Sequence, residues 1–371
     1  MRAMSVSSVA MIFRSAQRAA DFAWFIAQLG VAALLSRFGT RVAVTFCVDA
    51  KKKCVVALET NNALILGGRI HKRRSASEVL PPGFGRVLAR LLKLCNARGV
   101  PIYVWGYADK QFFGFSFSDF AKTSRLETGL FGVGARYNAK EFSYVVDSKA
   151  PYFDGRAPTD LESLLSATPT GVWKTSVQAT QFIKTVAGSD FQKYAEINRD
   201  LNIQIGEQDV VVVGQCEGDA AWIETDSMVS DNVNLVEEAT KLFCGSEIFY
   251  KPHPFNRTNQ RDIAAVEKRG LARIVAPEIS FAQIAAQRPI IVVNTSGAGL
   301  EAALRGCTVH TFGTSYYSHW GFRIDRTACP RRANRLTPED VFYVMVFNYC
   351  KYGQRTPLKR LNAEQVTQKS A

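Results

Sequence analysis

The 371-residue sequence predicts an α/β protein of two domains, each a parallel sheet covered by helices. Three features point there. Asp209 to Val213 (DVVVV) and Pro289 to Val293 (PIIVV) have the continuous hydrophobicity of strands buried on both faces. Between such runs, apolar residues recur at helical spacing, so strand alternates with helix. The length also exceeds one ordinary domain and suits two.

In the first half, Arg41 to Val48, Cys54 to Leu58 and Ala63 to Leu66 read as β-branched strand segments. Pro81-Pro82-Gly83 breaks the chain, and Val87, Leu88, Leu91, Leu92 and Leu94 then mark a helix over 85–97. Pro101 to Trp105 is the next strand. Thr159, with Glu162 three residues on, predicts a capped helix to Ser166, and a polar helix is expected over 175–198. From residue 209 the expected order is strand 209–213, helix 232–243, strand 247–250, helix 260–268, strand 272–275, helix 281–286, strand 289–293, helix 300–305 and strand 308–312. This is a doubly wound pattern, which places its ligand crevice at the carboxyl ends of the strands. The expected divisions are an N-terminal domain over 1–205, a C-terminal domain over 206–340, and a helix and tail over 341–371.

Composition narrows the function classes. Hydrophobic residues make up 47% and charged residues 21%, which excludes a disordered or fibrous chain. The eight cysteines never form a C-x-x-C pair, so zinc ribbons and redox pairs are not indicated, and most read as buried thiols of a reducing compartment. The apolar run Phe22 to Leu35 is shorter than the ~20 residues of a membrane span and reads as a buried or interfacial helix. Of the net charge of +13, residues 1–100 carry nearly all, with 16 basic residues against Asp21, Asp49, Glu59 and Glu78. Lys51-Lys52-Lys53 and His71-Lys72-Arg73-Arg74 are the dense spots. Such a region is either solvated loop charge or a patch for an anionic partner: membrane leaflet, phospholipid-linked acceptor or nucleic acid.

Three segments carry candidate chemistry. In Thr295-Ser296-Gly297-Ala298-Gly299 a buried strand turns into a helix, where free N–H groups and two hydroxyls suit a phosphate; any strand-to-helix turn of such a fold also uses Gly and Ser. In Tyr250-Lys251-Pro252-His253-Pro254, His253 is fixed between two prolines and Lys251 can pair with an anion; a structural turn with a surface histidine is the alternative. In Gly214-Gln215-Cys216-Glu217-Gly218-Asp219 a strand ends in carboxylates that point into the crevice, or in simple turn chemistry.

Together these segments resemble the capsule polysaccharide biosynthesis proteins, a family that includes retaining β-Kdo transferases using CMP-Kdo. Gln215 and Asp219 match its Q-x-x-x-D element, and Tyr250 to Pro254 its Y-K-P-H-P. Thr295 to Gly306 resembles T-S-x-A-G-x-E-A-L-x-R-G, and Tyr316 to Gly321 resembles F-Y-A-G-W-G. Arg331 to Leu336 matches R-R-x-x-R-L. Glu127-Thr128-Gly129 resembles the family's E-x-G, and Asp147 to Leu165 its D-x-x-G-x-Y-Y-D-A-x-x-P-S-x-L-E-x-L-L. Ala221 stands where many members have Ser, and His319 where Gly is usual.

The resemblance implies a GT-B-like fold, two Rossmann-like domains facing across a cleft, and a Kdo transferase acting on a glycan or lipid-linked acceptor. It implies Asp219 as nucleophile and Glu127 as acid/base. His253, Thr295, Ser296 and Gly297 would hold the CMP phosphate, with Gln215, Gly299 and Glu301 in the same donor site. Lys251, Arg331 and Arg332 are the candidates for the Kdo carboxylate or phosphate. No metal or other cofactor is expected, nor nucleic acid. The expected location is the cytoplasm, peripheral to the inner membrane through residues 1–100. Two rivals are an inverting CMP-sugar transferase of the sialyltransferase sort and a non-catalytic basic protein bound to membrane or nucleic acid.

Overall fold

Strands whose side chains are apolar on both faces can be satisfied only between two helical layers, and the chain builds two such sheets. The structure, a computed structural model, describes residues 24–37, 42–46, 64–66, 84–130, 143–188, 203–256, 258–276 and 278–352. Among these, one unit runs to Thr128 and resumes over Tyr144–Pro151; the other holds residues 129–130 and 143 and the chain from Tyr152 onward.

In the first unit, strand β1 (Val42–Phe46) pairs in parallel with β2 (Leu64–Leu66) and β3 (Ile102–Trp105). Strand β4 (Thr123–Thr128) lies parallel to β3, and β5 (Ser143–Asp147) runs antiparallel to β4. The apolar run near the start forms helix α1 (24–37), which buries Phe25, Leu29, Ala32 and Ala33 against Phe46, Phe113, Phe117 and Leu88 and Leu92 of α2 (Phe84–Ala97). That spacing is one helical face, so the run is core. No described helix is long and apolar enough to cross a membrane.

Strand β4 is absent from the sequence reading because its composition (TSRLET) is polar. Its Arg125 is nevertheless buried. The guanidinium donates to Asp109 Oδ1 at 2.6 Å, Gly106 O at 3.2 Å and the hydroxyls of Ser116 and Ser118, while Asp109 Oδ2 accepts the Phe117 N–H at 2.7 Å. A charge buried with its partners is tolerated where an unpaired one would not be. Asp109 lies in α3 (Ala108–Phe113).

In the second unit, β6 (Val210–Val213), β7 (Ile248–Lys251), β8 (Arg273–Ile274), β9 (Ile290–Val293), β10 (Val309–Thr311) and β11 (Ile324–Asp325) form one parallel sheet in the order β11-β10-β9-β6-β7-β8. Alternation along β6 divides the core: Val211 and Val213 pack with Phe281, Ile284 and Ala285 of α9 (Phe281–Ala286), and Val210 and Val212 with Leu235, Val236 and Ala239 of α7 (Asn232–Leu242). Further α-helices among the described residues are α4 (Asp160–Ser166), α5 (Val177–Gly188), α6 (Ala220–Ile223), α8 (Asn259–Lys268), α10 (Ala298–Leu304) and α11 (Pro338–Tyr343). From β6 the chain steps outward to β7 and β8, then returns to place β9 on β6's other side. Strand order therefore reverses between β6 and β9, and in open parallel sheets that reversal opens the ligand crevice.

The units divide near residue 151, not at the expected 205. Residues 152–188 are tied to the chain's C-terminal part: Asn334 Nδ2 donates to the carbonyls of Leu165 and Thr168, and the Gly171 N–H to Asp340 Oδ2 at 3.0 Å. Partners some 165 residues apart leave no local trace. The expected helix over 175–198 is seen as α5, and its later residues lie outside the described ones, as do 54–58, the Lys51–Lys53 and His71–Arg74 clusters and the tail from 353.

Candidate active site

At the switch point the chain leaves β6 at Val213 and β9 at Val293, and the residues that follow meet. Gln215 is buried. Its Nε2 donates to Asp219 Oδ2 and to Thr295 Oγ1, both at 3.0 Å, and its Oε1 faces the Thr295 N–H at 3.4 Å. A carboxylate only accepts and a backbone N–H only donates, so these partners fix which end of the amide is nitrogen. The Gln215 backbone is held too, its N–H donating to Asn232 Oδ1 and its carbonyl accepting from Asn232 Nδ2. Gly214 has no room for a side chain, because Tyr250 Oη would stand 2.7 Å from a Cβ.

Asp219 caps the four-residue α6, its Oδ1 accepting the Ala221 N–H at 3.0 Å. With Oδ2 held by Gln215, the half-buried carboxylate has one orientation. The contact with Ala221 runs through its backbone N–H, which any residue except proline would supply.

The next strand end brings His253. Its carbonyl accepts from the Asn256 N–H at 3.0 Å and from Asn259 Nδ2 at 2.7 Å, so the Pro-His-Pro turn is pinned. Its ring Nδ1 accepts the Phe255 N–H and faces Cys216 Sγ, each at 3.2 Å. Burial, and secondarily the charge of Asp219, raise the Cys216 thiol above its ordinary pKa, so it stays protonated and donates. Both contacts need the Nδ1 lone pair. The neutral ring therefore carries its proton on Nε2, a donor suited to an anionic oxygen.

Ser296 and Gly297 are half-buried in the turn before α10, with Glu301 in that helix's first turn. Gly299 has to be glycine, since the hydroxyl of Tyr317 occupies the place of a Cβ; that hydroxyl donates to the Ser296 carbonyl. Thr295 is engaged by Gln215, so its hydroxyl oxygen accepts inside the protein. Lys251 is buried with Nζ 3.5 Å from the Ala276 carbonyl, and burial pushes its pKa down to about 8 against the opposing charge of Glu278. Glu127 belongs to the first unit, where its Oε1 accepts from the backbone and hydroxyl of Thr128. His319 adopts φ 67, a left-handed conformation that explains a preference for Gly there. Its N–H donates to Asp325 and its Nε2 to the Thr327 carbonyl.

The structure thus brings Gln215, Asp219, His253 and Thr295 together, and adds Cys216 and Asn232 as residues that orient them. Sequence reasoning missed both; a lone Cys and Asn carry no motif.

A model of the capsule polysaccharide biosynthesis protein family matches residues 171–353. The lipopolysaccharide-processing protein LpsZ of Rhizobium meliloti is 27% identical over 244 residues, 61% of this chain and 54% of LpsZ. The capsule polysaccharide modification protein LipA of Neisseria meningitidis serogroup B is 26% identical over 288 residues, 76% of this chain and 40% of LipA. The chain thus spans about half or less of these relatives. Among solved structures, the KpsC β-Kdo 2,7 transferase of Thermosulfurimonas dismutans superposes with a TM-score of 0.63 at 20% identity, covering 89% of this chain and 99% of that one. Its β-Kdo 2,4 transferase gives 0.62 at 20% identity, covering 84% and 92%. These likenesses establish a shared fold.

Arg331 and Arg332, expected at the donor, are engaged inside the second unit by Glu162. Arg331 Nε donates to Glu162 Oε1 at 2.9 Å, and Arg332 Nε to Glu162 Oε2 at 2.8 Å. Arg332, buried, also donates to the carbonyls of Ser315 and Ser318 and stacks on Trp320. Glu162 sits at the third position of α4, so the Thr159 hydroxyl accepts its N–H as a cap while its carboxylate serves the arginines. Burial alone would raise the Glu162 carboxyl, but hydrogen bonds from Arg331 and Arg332 outweigh it and hold it below its ordinary value. A depressed carboxyl contributes stability above its unfolded-state pKa and loses it as pH falls through the folded value. Glu162→Gln should therefore lower unfolding free energy at neutral pH by about 3 kcal/mol and narrow the gap to wild type in acid. Urea unfolding across pH checks this, and equal stability at neutral pH would contradict it.

Proposed function

We propose that the chain, whose residues 171–353 match a model of the capsule polysaccharide biosynthesis protein family, transfers Kdo from CMP-Kdo to a glycan or glycolipid acceptor with retention of configuration. The observation that carries this reading is the Gln215 amide, which fixes a carboxylate and a hydroxyl at the switch point of a doubly wound sheet. The fold shared with two KpsC β-Kdo transferases and the names of the capsule and lipopolysaccharide relatives point the same way.

In this reading an Asp219 oxygen attacks the anomeric carbon of Kdo as the bond from that carbon to the phosphate oxygen breaks and CMP leaves with the electron pair. The acceptor hydroxyl then displaces Asp219 from the same carbon, giving its proton to a base and restoring the carboxylate. Two displacements retain configuration. Holding Asp219 by both oxygens fixes its line of attack, which is what a near-attack geometry requires. The Nε2–H of His253, the Ser296 hydroxyl and the Gly297 backbone hold the phosphate, and Thr295 orients the amide. These neutral donors hold one phosphate by hydrogen bonds. Glu127 is assigned as acid/base by the resemblance alone.

Asp219→Asn, which keeps a capping oxygen for α6, should abolish transfer while CMP binding survives. Wild type incubated with CMP-Kdo alone should gain one Kdo in intact-protein mass spectra, and the variant none. His253→Ala should weaken donor binding and lower turnover by about 10²-fold. CMP at a hundredfold excess over its Kd should stabilise wild type by about 2.7 kcal/mol, and UDP should not. An active Asp219→Asn enzyme would overturn the covalent mechanism.

We place the reaction at the cytoplasmic face of the inner membrane, where the basic residues 1–100 meet anionic lipid. The protein should sediment with anionic vesicles at low salt and release as salt rises; indifference to lipid charge would remove this role.

A further inference from the structure

With Arg331 and Arg332 committed to Glu162, a different arginine of the second unit is left with an uncommitted charge. The Arg323 side chain is fully buried, and none of its three nitrogens has a hydrogen-bond partner among the described residues. The nearest carboxylate oxygen, Asp325 Oδ1, is 3.9 Å from Nε and already accepts from Thr311 Oγ1 at 2.7 Å; the other oxygen accepts the His319 N–H at 2.8 Å. The guanidinium is held instead between aromatic faces, 4.4 Å from the Tyr317 ring centroid and 4.2 Å from that of Phe322.

A second group beside it is equally unsatisfied. The Tyr316 hydroxyl is buried without a hydrogen-bond partner among the described residues, and a Cβ on Gly297 would lie 3.8 Å from it. Tyr317, against which Arg323 stacks, donates its hydroxyl to the carbonyl of Ser296. One orphaned donor therefore lies at Gly297 of the turn, and the other packs on the ring of the tyrosine that supports the turn. Buried polar groups in folded proteins are almost always partnered, and a buried charge without a partner is costlier still.

We propose that Arg323, with Tyr316 beside it, is an anion receptor of the donor site, which takes a phosphate or carboxylate oxygen when the donor occupies the Ser296–Gly299 turn. This rests on the donor reading above. Burial lowers the Arg323 pKa to about 10, the charge of Asp325 opposing, which leaves the group a cation at neutral pH. Phe322, half-buried, covers the guanidinium on one side. The guanidinium thus has only a distant, occupied carboxylate and two aromatic faces against it, and an entering anion supplies the hydrogen bonds it lacks, so that site and stability pull in opposite directions.

That opposition gives the test. Arg323→Met keeps the length of the side chain and removes the charge. Its ligand-free Tm should equal or exceed that of wild type, while CMP-Kdo binds at least tenfold more weakly by calorimetry. Weakening of both CMP and CMP-Kdo identifies the anion as phosphate; weakening of CMP-Kdo alone identifies the sugar carboxylate. A Met variant that melts below wild type or fails to fold marks Arg323 as a structural support and overturns the inference. So does a variant that binds both ligands as tightly as wild type. Inorganic phosphate separates this inference from the donor reading. If wild type binds neither nucleotide but phosphate raises its Tm and not that of Arg323→Met, the receptor stands and the CMP-Kdo assignment falls.

Discussion

A primary amide buried at the end of a parallel strand must find partners for two N–H groups and a carbonyl, and Gln215 finds them on two different loops. One hydrogen goes to Asp219, four residues on, and the other to Thr295, eighty residues on. Each unmet hydrogen bond of such a group would cost about 1–3 kcal/mol, so the loops after β6 and β9 are held at a fixed separation. Asn232 holds the Gln215 backbone from α7, and Cys216, the next residue, faces the ring of His253. Strand, capping carboxylate and histidine are thus positioned relative to one side chain. The donor site proposed here follows from where that amide must sit.

Three buried arginines among the described residues show how little residue type says about role. Arg125 meets Asp109, a carbonyl and two hydroxyls, which makes it a fastener of the first unit. Arg332 meets Glu162 and two carbonyls, and with Arg331 it docks α4 to the loop that follows β11. Arg323 meets only rings and a distant, occupied carboxylate. Desolvation is common to all three; only Arg323 is left to be compensated from outside.

The sheet of the second unit was legible because its strands are buried on both faces: DVVVV and PIIVV can be little else once flanked by helical periodicity. Gln215, Asp219, His253 and Thr295 were legible for another reason, since they follow strand ends in segments of restricted backbone. What escaped was tertiary. Strand β4 reads as polar because Arg125 is solvated by side chains from a separate loop. The boundary near 151 depends on contacts of Asn334 and Asp340 with residues 165–171, and the commitment of Arg331 and Arg332 on Glu162, all of them far apart in sequence. A pair of arginines has the same sequence whether it meets a ligand or an internal carboxylate. Arg323 stands in no motif, and its burial exists only after Tyr317 and Phe322 have packed around it.

Amide hydrogen exchange with and without CMP-Kdo tests most directly whether the switch point is the donor site. The expected result is protection concentrated in three segments distant in sequence, 214–220, 252–256 and 294–300, with the rest of the second unit's sheet unchanged. Protection confined to other segments, in a protein that still binds CMP-Kdo, would contradict the account.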